Sequence, residues 1–281
     1  MKNLTLTILL VAAVAATWAQ KPDKKTVKLE KQLVGTFVEI PGAHFLTRNS
    51  KGDTMRVTIA PFRMLETEVT NASYNLFLDD LKAQGRMADY EKAKIDTTRA
   101  MPDLPPVYYT HPAYAQSPVS CVSYEGAMLF CQWLTEKMGG DEWEYTLPSE
   151  VQWKYAARSG YPYREYSMGS PSFRDRNGYP YYTYYQIGDR NITMRDGQFV
   201  VVTDDNPFIN RGYTYMAKGH YPNEFGLYNV CGNVAEMVDE RGIAYGGSFL
   251  DPGYDIRIDS ETHYDAPSPK VGFRVIAVKK S

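Results

Sequence analysis

Cysteine is scarce in this chain. Only Cys121, Cys131 and Cys231 occur among 281 residues. No two of them stand at C-x-x-C spacing, which excludes a dithiol redox motif and a cysteine-built zinc site. Three thiols allow at most one internal disulfide and leave one over. Histidine is equally thin: His44, His111, His220 and His263 are scattered, with none of the spacings that gather metal ligands. Charge of one sign is missing too. Lys and Arg number 31 against 33 Asp and Glu, a formal net charge of −2, so nothing draws the chain toward nucleic acid or an anionic membrane. Beyond residue 20 no apolar run is long enough to span a bilayer, and there is no internal repeat.

What is present begins at the N-terminus. Lys2, the apolar run "LTLTILLVAAVAA" and the small-residue exit "TWA" before Gln20 read as a secretory signal peptide over residues 1–20. The mature chain then starts near Gln20 and works outside the cytoplasm: in the periplasm, at the cell surface or released. No cysteine follows the run, so no lipid-attachment site is expected. "KPDKKTVKLEK" makes residues 21–34 a charged, flexible lead-in. No linker interrupts 35–278, and one domain over 35–281 is the economical reading. Tyrosine is abundant, 23 against 11 Phe. That suits either a recognition surface or loops pinned by buried hydroxyls, the second being the blander expectation.

Local patterning places the elements. "GTFVEIPGAHFL" (35–46) reads as strand, Pro-Gly turn, strand, and "RVTIAPFRMLETEVT" (56–70) as further extended chain. Tyr74, Phe77, Leu78 and Leu81 recur at helical spacing behind a Thr70 or Asn71 cap, with Gly85 as the stop. Residues 86–120, with five prolines, read as a long connection. A second helix follows in "SYEGAMLFCQWLTEKMGG", capped by Ser123, with Ala127, Phe130, Cys131, Leu134 and Met138 as its stripe. Cys131 lies on that stripe as a small buried residue rather than a nucleophile. "LPSEVQWKYAARSG" carries a Ser149/Gln152 capping box. "ITMRDGQFVVV" reads as a hairpin about Asp196-Gly197, and "KVGFRVIAV" as a core strand. The expected fold class is α/β (α+β): two or three short helices on small mixed sheets, with much loop.

Six stretches then fall in order: "VEIPGAHFL", "ETEVTNASYNLFL", "LPSEVQWKYAARSG", "NEFGLYNVCGNVAEMV", "AYGGSF" and "VGFRVI". Together they closely resemble the formylglycine-generating enzyme, or sulfatase-modifying factor, domain family, over about residues 35–278. The resemblance implies a loop-rich fold distantly related to C-type lectins. In "YNVCGNVAEM" the side chains of Asn229 and Glu236 offer oxygens, and Gly232 lets the backbone turn its carbonyls inward. That suits a hard cation, or a capped turn in which Asn and Glu satisfy backbone N–H groups. The resemblance implies structural Ca²⁺ held by the Asn229 side chain, the Gly232 and Val234 carbonyls and the Glu236 carboxylate. The family's second calcium site would fall near 175–215, where this chain has its own aromatic loop. Cys231 reads as a small filler, its sulfur being a poor calcium ligand.

Family enzymes oxidise a substrate cysteine with two cysteines that bind copper(I), a soft ion suited to thiolates. Those stand three and eight residues after the serine of the Gly-Gly-Ser turn. Here the serine is Ser248, and the two positions hold Asp251 and Ile256, so no copper and no thiolate mechanism are expected. Ser248 lacks the G-x-S-x-G context of a hydrolase nucleophile. His263 has only Asp259, Glu261 and Asp265 nearby as orienting acids. The resulting expectation is an exported, non-catalytic family member that serves as an interaction or assembly module of the cell envelope. It is most similar to the cysteine-free domains of gliding-motility and type IX secretion lipoproteins, without their lipid-anchoring cysteine. A lectin-like module binding glycan and an oxidase of altered chemistry are the alternatives. Either binding role would use the loops bearing Tyr179, Tyr182, Tyr185, Asp255, Asp259 and His263 against an envelope protein or a glycan.

Overall fold

A computed structural model of the chain describes residues 21–48, 54–101, 107–140, 142–170, 173–185, 192–201 and 214–280. The segment read as a signal peptide lies outside the described residues. The first described element corrects the sequence reading. Instead of a flexible lead-in, Lys24–Leu33 form helix α1, with Asp23 as N-cap accepting from the Lys25 and Thr26 N–H groups. Composition concealed it because the stabilisation is tertiary. The buried Glu30 carboxylate accepts two hydrogen bonds from Arg63, at 2.6 and 2.7 Å, and one from the Tyr145 hydroxyl at 2.7 Å. Leu29 and Leu33 pack against the core beside it.

Strands β1 (Phe37–Ile40), β2 (Ala43–Arg48), β3 (Thr54–Ile59) and β4 (Phe62–Leu65) follow. The Pro-Gly turn does not fold β1 onto β2. β2 pairs with β3 as a separate hairpin, while β1 pairs with β4. Helix α2 (Asn71–Ala83) is capped by the Thr70 hydroxyl and buries Tyr74, Phe77, Leu78 and Leu81. Each such side chain contributes about 1.5–3 kcal/mol. The proline-rich connection contains an unexpected short helix, α3 (Met87–Ala93). Helix α4 (Tyr124–Leu134) has its Ser123 cap and buried stripe as expected. Strand β5 (Trp143–Thr146), unread in the sequence, leads to α5 (Glu150–Ala157), whose capping box is present. Strands β6 (Ile192–Arg195) and β7 (Gln198–Val201) form the hairpin about Asp196-Gly197.

The last third supplies β8 (Ala235–Met237), β9 (Ile243–Tyr245), β10 (Glu261–His263), β11 (Val271–Phe273) and β12 (Ile276–Lys279). "KVGFRVIAV" is thus two strands in two sheets. One sheet is antiparallel, in the order β1-β4-β12-β5; the other is mixed, β10-β9-β8-β11, with β11 parallel to β8. Side-chain alternation along these strands feeds two cores. Leu65, Ala277, Met237 and Ala244 face the aromatic packing of α2 and α4. Met64, Ile276 and Tyr245 face Trp153 of α5 and the loops. Between the cores, on β8, sits one charged residue, Glu236.

Candidate functional site

The "YNVCGNVAEM" segment is bent by three left-handed residues, Asn229, Gly232 and Asn233, at φ of 53°, 79° and 63°. Gly232 is required as well as permitted, since a Cβ there would lie 2.2 Å from the Thr183 carbonyl oxygen. The bend brings the Asn233 N–H to that carbonyl at 2.7 Å. It also turns the Asn233 side chain inward. Its oxygen accepts from the Tyr215 N–H at 2.8 Å and its nitrogen donates to Glu68 at 2.7 Å.

Glu236 then enters the core on β8. Its carboxylate accepts from Arg274 through Nε, at 3.1 and 2.9 Å, and through Nη2 at 2.6 Å, and from the Trp153 indole at 2.7 Å. Arg274 also donates to the carbonyls of Leu65 and Tyr228. Glu236, Arg274 and Trp153 are all buried. Two carboxylates face one guanidinium, and the second of them, Glu68, shows it. Burial pushes the Glu68 carboxyl up to about 8; Arg274 pulls it down and Glu236 pushes it further up. Glu68, Trp153, Asn233 and Arg274 were not singled out from the sequence, although each lies inside a recognised motif. Arginine and tryptophan in a motif read as packing, and only the fold shows which acid they meet.

This geometry differs from both sequence readings of the motif. The Asn229 amide nitrogen donates to the Met216 and Ala217 carbonyls, at 3.1 and 3.0 Å, and caps no N–H group through its oxygen. That oxygen is buried and without a hydrogen-bond partner among the described residues. It fits a calcium ligand; Glu236 does not. The only carboxylate of the set already carries four hydrogen bonds and the charge of Arg274, and a calcium ion needs six to eight oxygens. Among the described residues no group of three or more His, Cys, Asp and Glu is placed to hold a metal. As arranged, the Asn229 oxygen is open to a cation, whereas the Glu236 carboxylate is taken up by Arg274 and Trp153. Of the stretch 175–215, residues 186–191 and 202–213 lie outside the described residues.

The Gly-Gly-Ser turn lies against this frame. Gly232 N–H donates to the Gly246 carbonyl at 2.8 Å, and Phe249 N–H to the Asn233 carbonyl at 2.9 Å. Gly247, at φ 64°, passes so close to the Asp255 carbonyl that a Cβ would lie 2.4 Å from its oxygen. Ser248 is buried, and its N–H and hydroxyl both donate to one oxygen of Asp251, at 2.9 and 2.6 Å. Lys270 donates to the other oxygen at 2.6 Å. Asp251 is therefore bound on both sides within the protein. Ile256 is fully buried in the core with Trp153 and Tyr245. All three cysteines are buried and unpaired. Burial pushes the Cys231 thiol up to about 11 and raises Cys131 and Cys121 as well, so none is a ready thiolate.

The residues expected to form one binding surface differ in exposure and in partners. Tyr182 is a correction: it is 2% exposed, packs on Phe173 and Tyr166, and accepts the Met168 N–H at its hydroxyl. It pins a loop, as the blander reading of tyrosine has it. Tyr179 is exposed beside the Asp175 turn. Tyr185 is half-buried, its N–H on the Asp251 carbonyl. Asp255 is exposed. Asp259 pairs with Arg158 at 2.6 Å and Lys154 at 3.5 Å. His263 is exposed on edge strand β10, 3.4 Å from Glu261.

The model of the sulfatase-modifying factor enzyme 1-like domain family matches residues 23–279, and the chain belongs to that family. It is 26% identical to the formylglycine-generating enzyme of Streptomyces coelicolor over 243 residues, 72% of this chain and 68% of that one. To the mouse formylglycine-generating enzyme it is 25% identical, over 69% of this chain, and it spans about half, 53%, of that enzyme's length. It is also 23% identical to the mouse inactive C-alpha-formylglycine-generating enzyme 2, over 79% and 72% of the two chains. The family thus includes enzymes and an inactive relative. Among solved structures, Treponema denticola variable protein 1 superposes with a TM-score of 0.57 at 16% identity, covering 86% of this chain and 96% of the other. PvdO from Pseudomonas aeruginosa gives 0.55 at 18%, covering 87% and 94%. These likenesses establish the fold: mixed α/β, loop-rich, with few helices and small sheets.

Proposed function

We propose that this sulfatase-modifying-factor-family chain is an exported, non-catalytic module of the cell envelope that works by binding. One observation carries the reading. At the two positions where family enzymes keep their cysteines, Asp251 is tied to Ser248 and Lys270, and Ile256 is sealed in the core. A carboxylate neutralised by a lysine is a poor ligand for a soft copper ion, and an isoleucine is none. The inactive mouse relative supports the same direction. Loss of reactive groups with the frame kept suits an interaction or assembly role, as in the cysteine-free domains of gliding-motility and type IX secretion proteins. The test is incubation of purified protein, with copper or iron added, with a sulfatase-derived cysteine peptide. No aldehyde product is expected; its appearance overturns the reading.

A further inference from the structure

We propose that a cleft between the loop after α5 and the Leu46–Thr47 and Asp259 segments binds a neutral saccharide. The inference deepens the non-catalytic binding reading above and rests on it. Two cavities, of about 170 and 490 Å³, adjoin there and share Tyr163 and Glu165. The larger is of ligand-pocket size.

The loop that lines them is strained and braced. Ser159 and Tyr163 hold left-handed backbones, at φ 51° and 64°, on either side of Gly160 at 79°. Such conformations persist in non-glycine residues only where the surroundings over-determine them. The bracing is visible. Gly160 N–H donates to the Tyr155 carbonyl and Tyr161 N–H to the Arg158 carbonyl, both at 3.1 Å; Ile258 N–H donates to the Glu165 carbonyl at 2.9 Å. The Tyr166 hydroxyl reaches the Gly253 carbonyl at 3.0 Å. Tyr163 is thus fixed between the two cavities with half of its surface exposed.

Beneath it lies Arg158, 4% exposed. Its Nε donates to the Arg164 carbonyl and its Nη2 to Asp259. No other hydrogen bond holds this guanidinium among the described residues, and a guanidinium has five N–H donors. Burial alone would raise the Asp259 carboxyl, but the hydrogen bond and charge of Arg158, with Lys154, hold it below the usual range. It stays an acceptor at neutral pH. Among the described residues, the charged side chains lining the cavities are Arg158, Arg164, Glu165 and Asp259, two of each sign, with Arg164 also paired to Glu224. A phosphate would meet two carboxylates, and a cation two guanidiniums. A hydroxyl both donates and accepts, and finds partners of both kinds.

The same two loops present more aromatic surface. Tyr161 and Tyr254 are 53% and 68% exposed. Each ring is stacked by a guanidinium, Arg164 at 4.2 Å and Arg257 at 3.5 Å from the ring centre. Cations held over the rings fix them, so a ligand packing C–H groups on an aromatic face has little ordering to impose.

The experiment is calorimetric titration of the full chain with neutral hexose and N-acetylhexosamine oligosaccharides. A uronic-acid oligosaccharide and inorganic phosphate serve as contrasting probes. A neutral oligosaccharide is expected to bind, at least about ten-fold more weakly to Tyr163→Gly and to Glu165→Gln, while neither charged probe binds. Glycine accepts the left-handed backbone that Tyr163 holds, so Tyr163→Gly should keep its melting temperature. If it unfolds, Glu165→Gln at an exposed position decides. The proposal is overturned if no neutral oligosaccharide binds, if a charged probe binds in its place, or if the deciding variant binds as the parent does. Conversion of the cysteine peptide would sink the non-catalytic reading yet leave this binding measurable, so the two failures are distinct.

Discussion

The Glu236–Arg274 centre and the Gly-Gly-Ser turn touch through backbone hydrogen bonds, yet they preserve different things. In the centre the side chains themselves are locked. Glu236 is buried and tied to Arg274 and Trp153, and Glu68 is buried and tied to Asn233. In the turn it is the backbone that is locked. Gly246 and Gly247 still pass within Cβ-excluding distance of neighbouring carbonyls, while the adjacent positions carry Asp251, paired with a half-exposed Lys270, and Ile256. Groups that hold the fold cannot be altered singly without leaving a buried charge. Asp251 at the mouth of the turn is only partly buried and is compensated by a nearby lysine.

The contrast can be broken first at its strong side. Arg274→Met leaves Glu236 buried without its cation, and removing one partner of a buried pair costs about 3–5 kcal/mol; urea unfolding should show that loss, or no folded protein at all. Next comes pH. Glu68 has a folded pKa raised from 4.5 to about 8. Between those values the folded state binds more protons than the unfolded one, so this group's stabilisation is complete below pH 4.5 and is lost as pH rises through 8. The expected slope is on the order of 1 kcal/mol per pH unit over that window, and Glu68→Gln should flatten it. On the weak side, Lys270→Met should cost less than about 1 kcal/mol, since its pair is partly solvated. The smallest effect is expected from chelator. EDTA should leave the melting temperature unmoved, and a clear fall would restore the calcium ion that the Glu236 geometry disfavours.

Much of the fold was legible because its signals are local. The caps at Ser123 and Ser149, the α2 and α4 stripes and the Asp196-Gly197 turn each specify their own element. Helix α1 was not legible, since its polar sequence is held by contacts distant in the chain, Glu30 to Arg63 and Tyr145 and the packing of Leu29 and Leu33. Nor was the division of "KVGFRVIAV" between two sheets, which pairing partners decide. Positions 251 and 256 could be counted off from Ser248. That Lys270 would neutralise Asp251 could not, because a loop crossing brings them together. The binding surface failed at Tyr182 for a related reason: tyrosine composition does not say which rings carry loops and which meet a ligand.

The Glu30–Arg63 contact has a consequence for where this protein begins. Arg63 lies buried, 5.2 Å from the Phe37 ring centre and 5.3 Å from that of Trp143, with Glu39 as a second acid at 3.3 Å. A boundary drawn at residue 35, ahead of the first recognisable motif, removes Glu30, although the family match begins at residue 23. The short motifs and the family match therefore do not start at the same residue. An expression boundary placed by motif would cut away the nearer of the two acids that neutralise a buried cation.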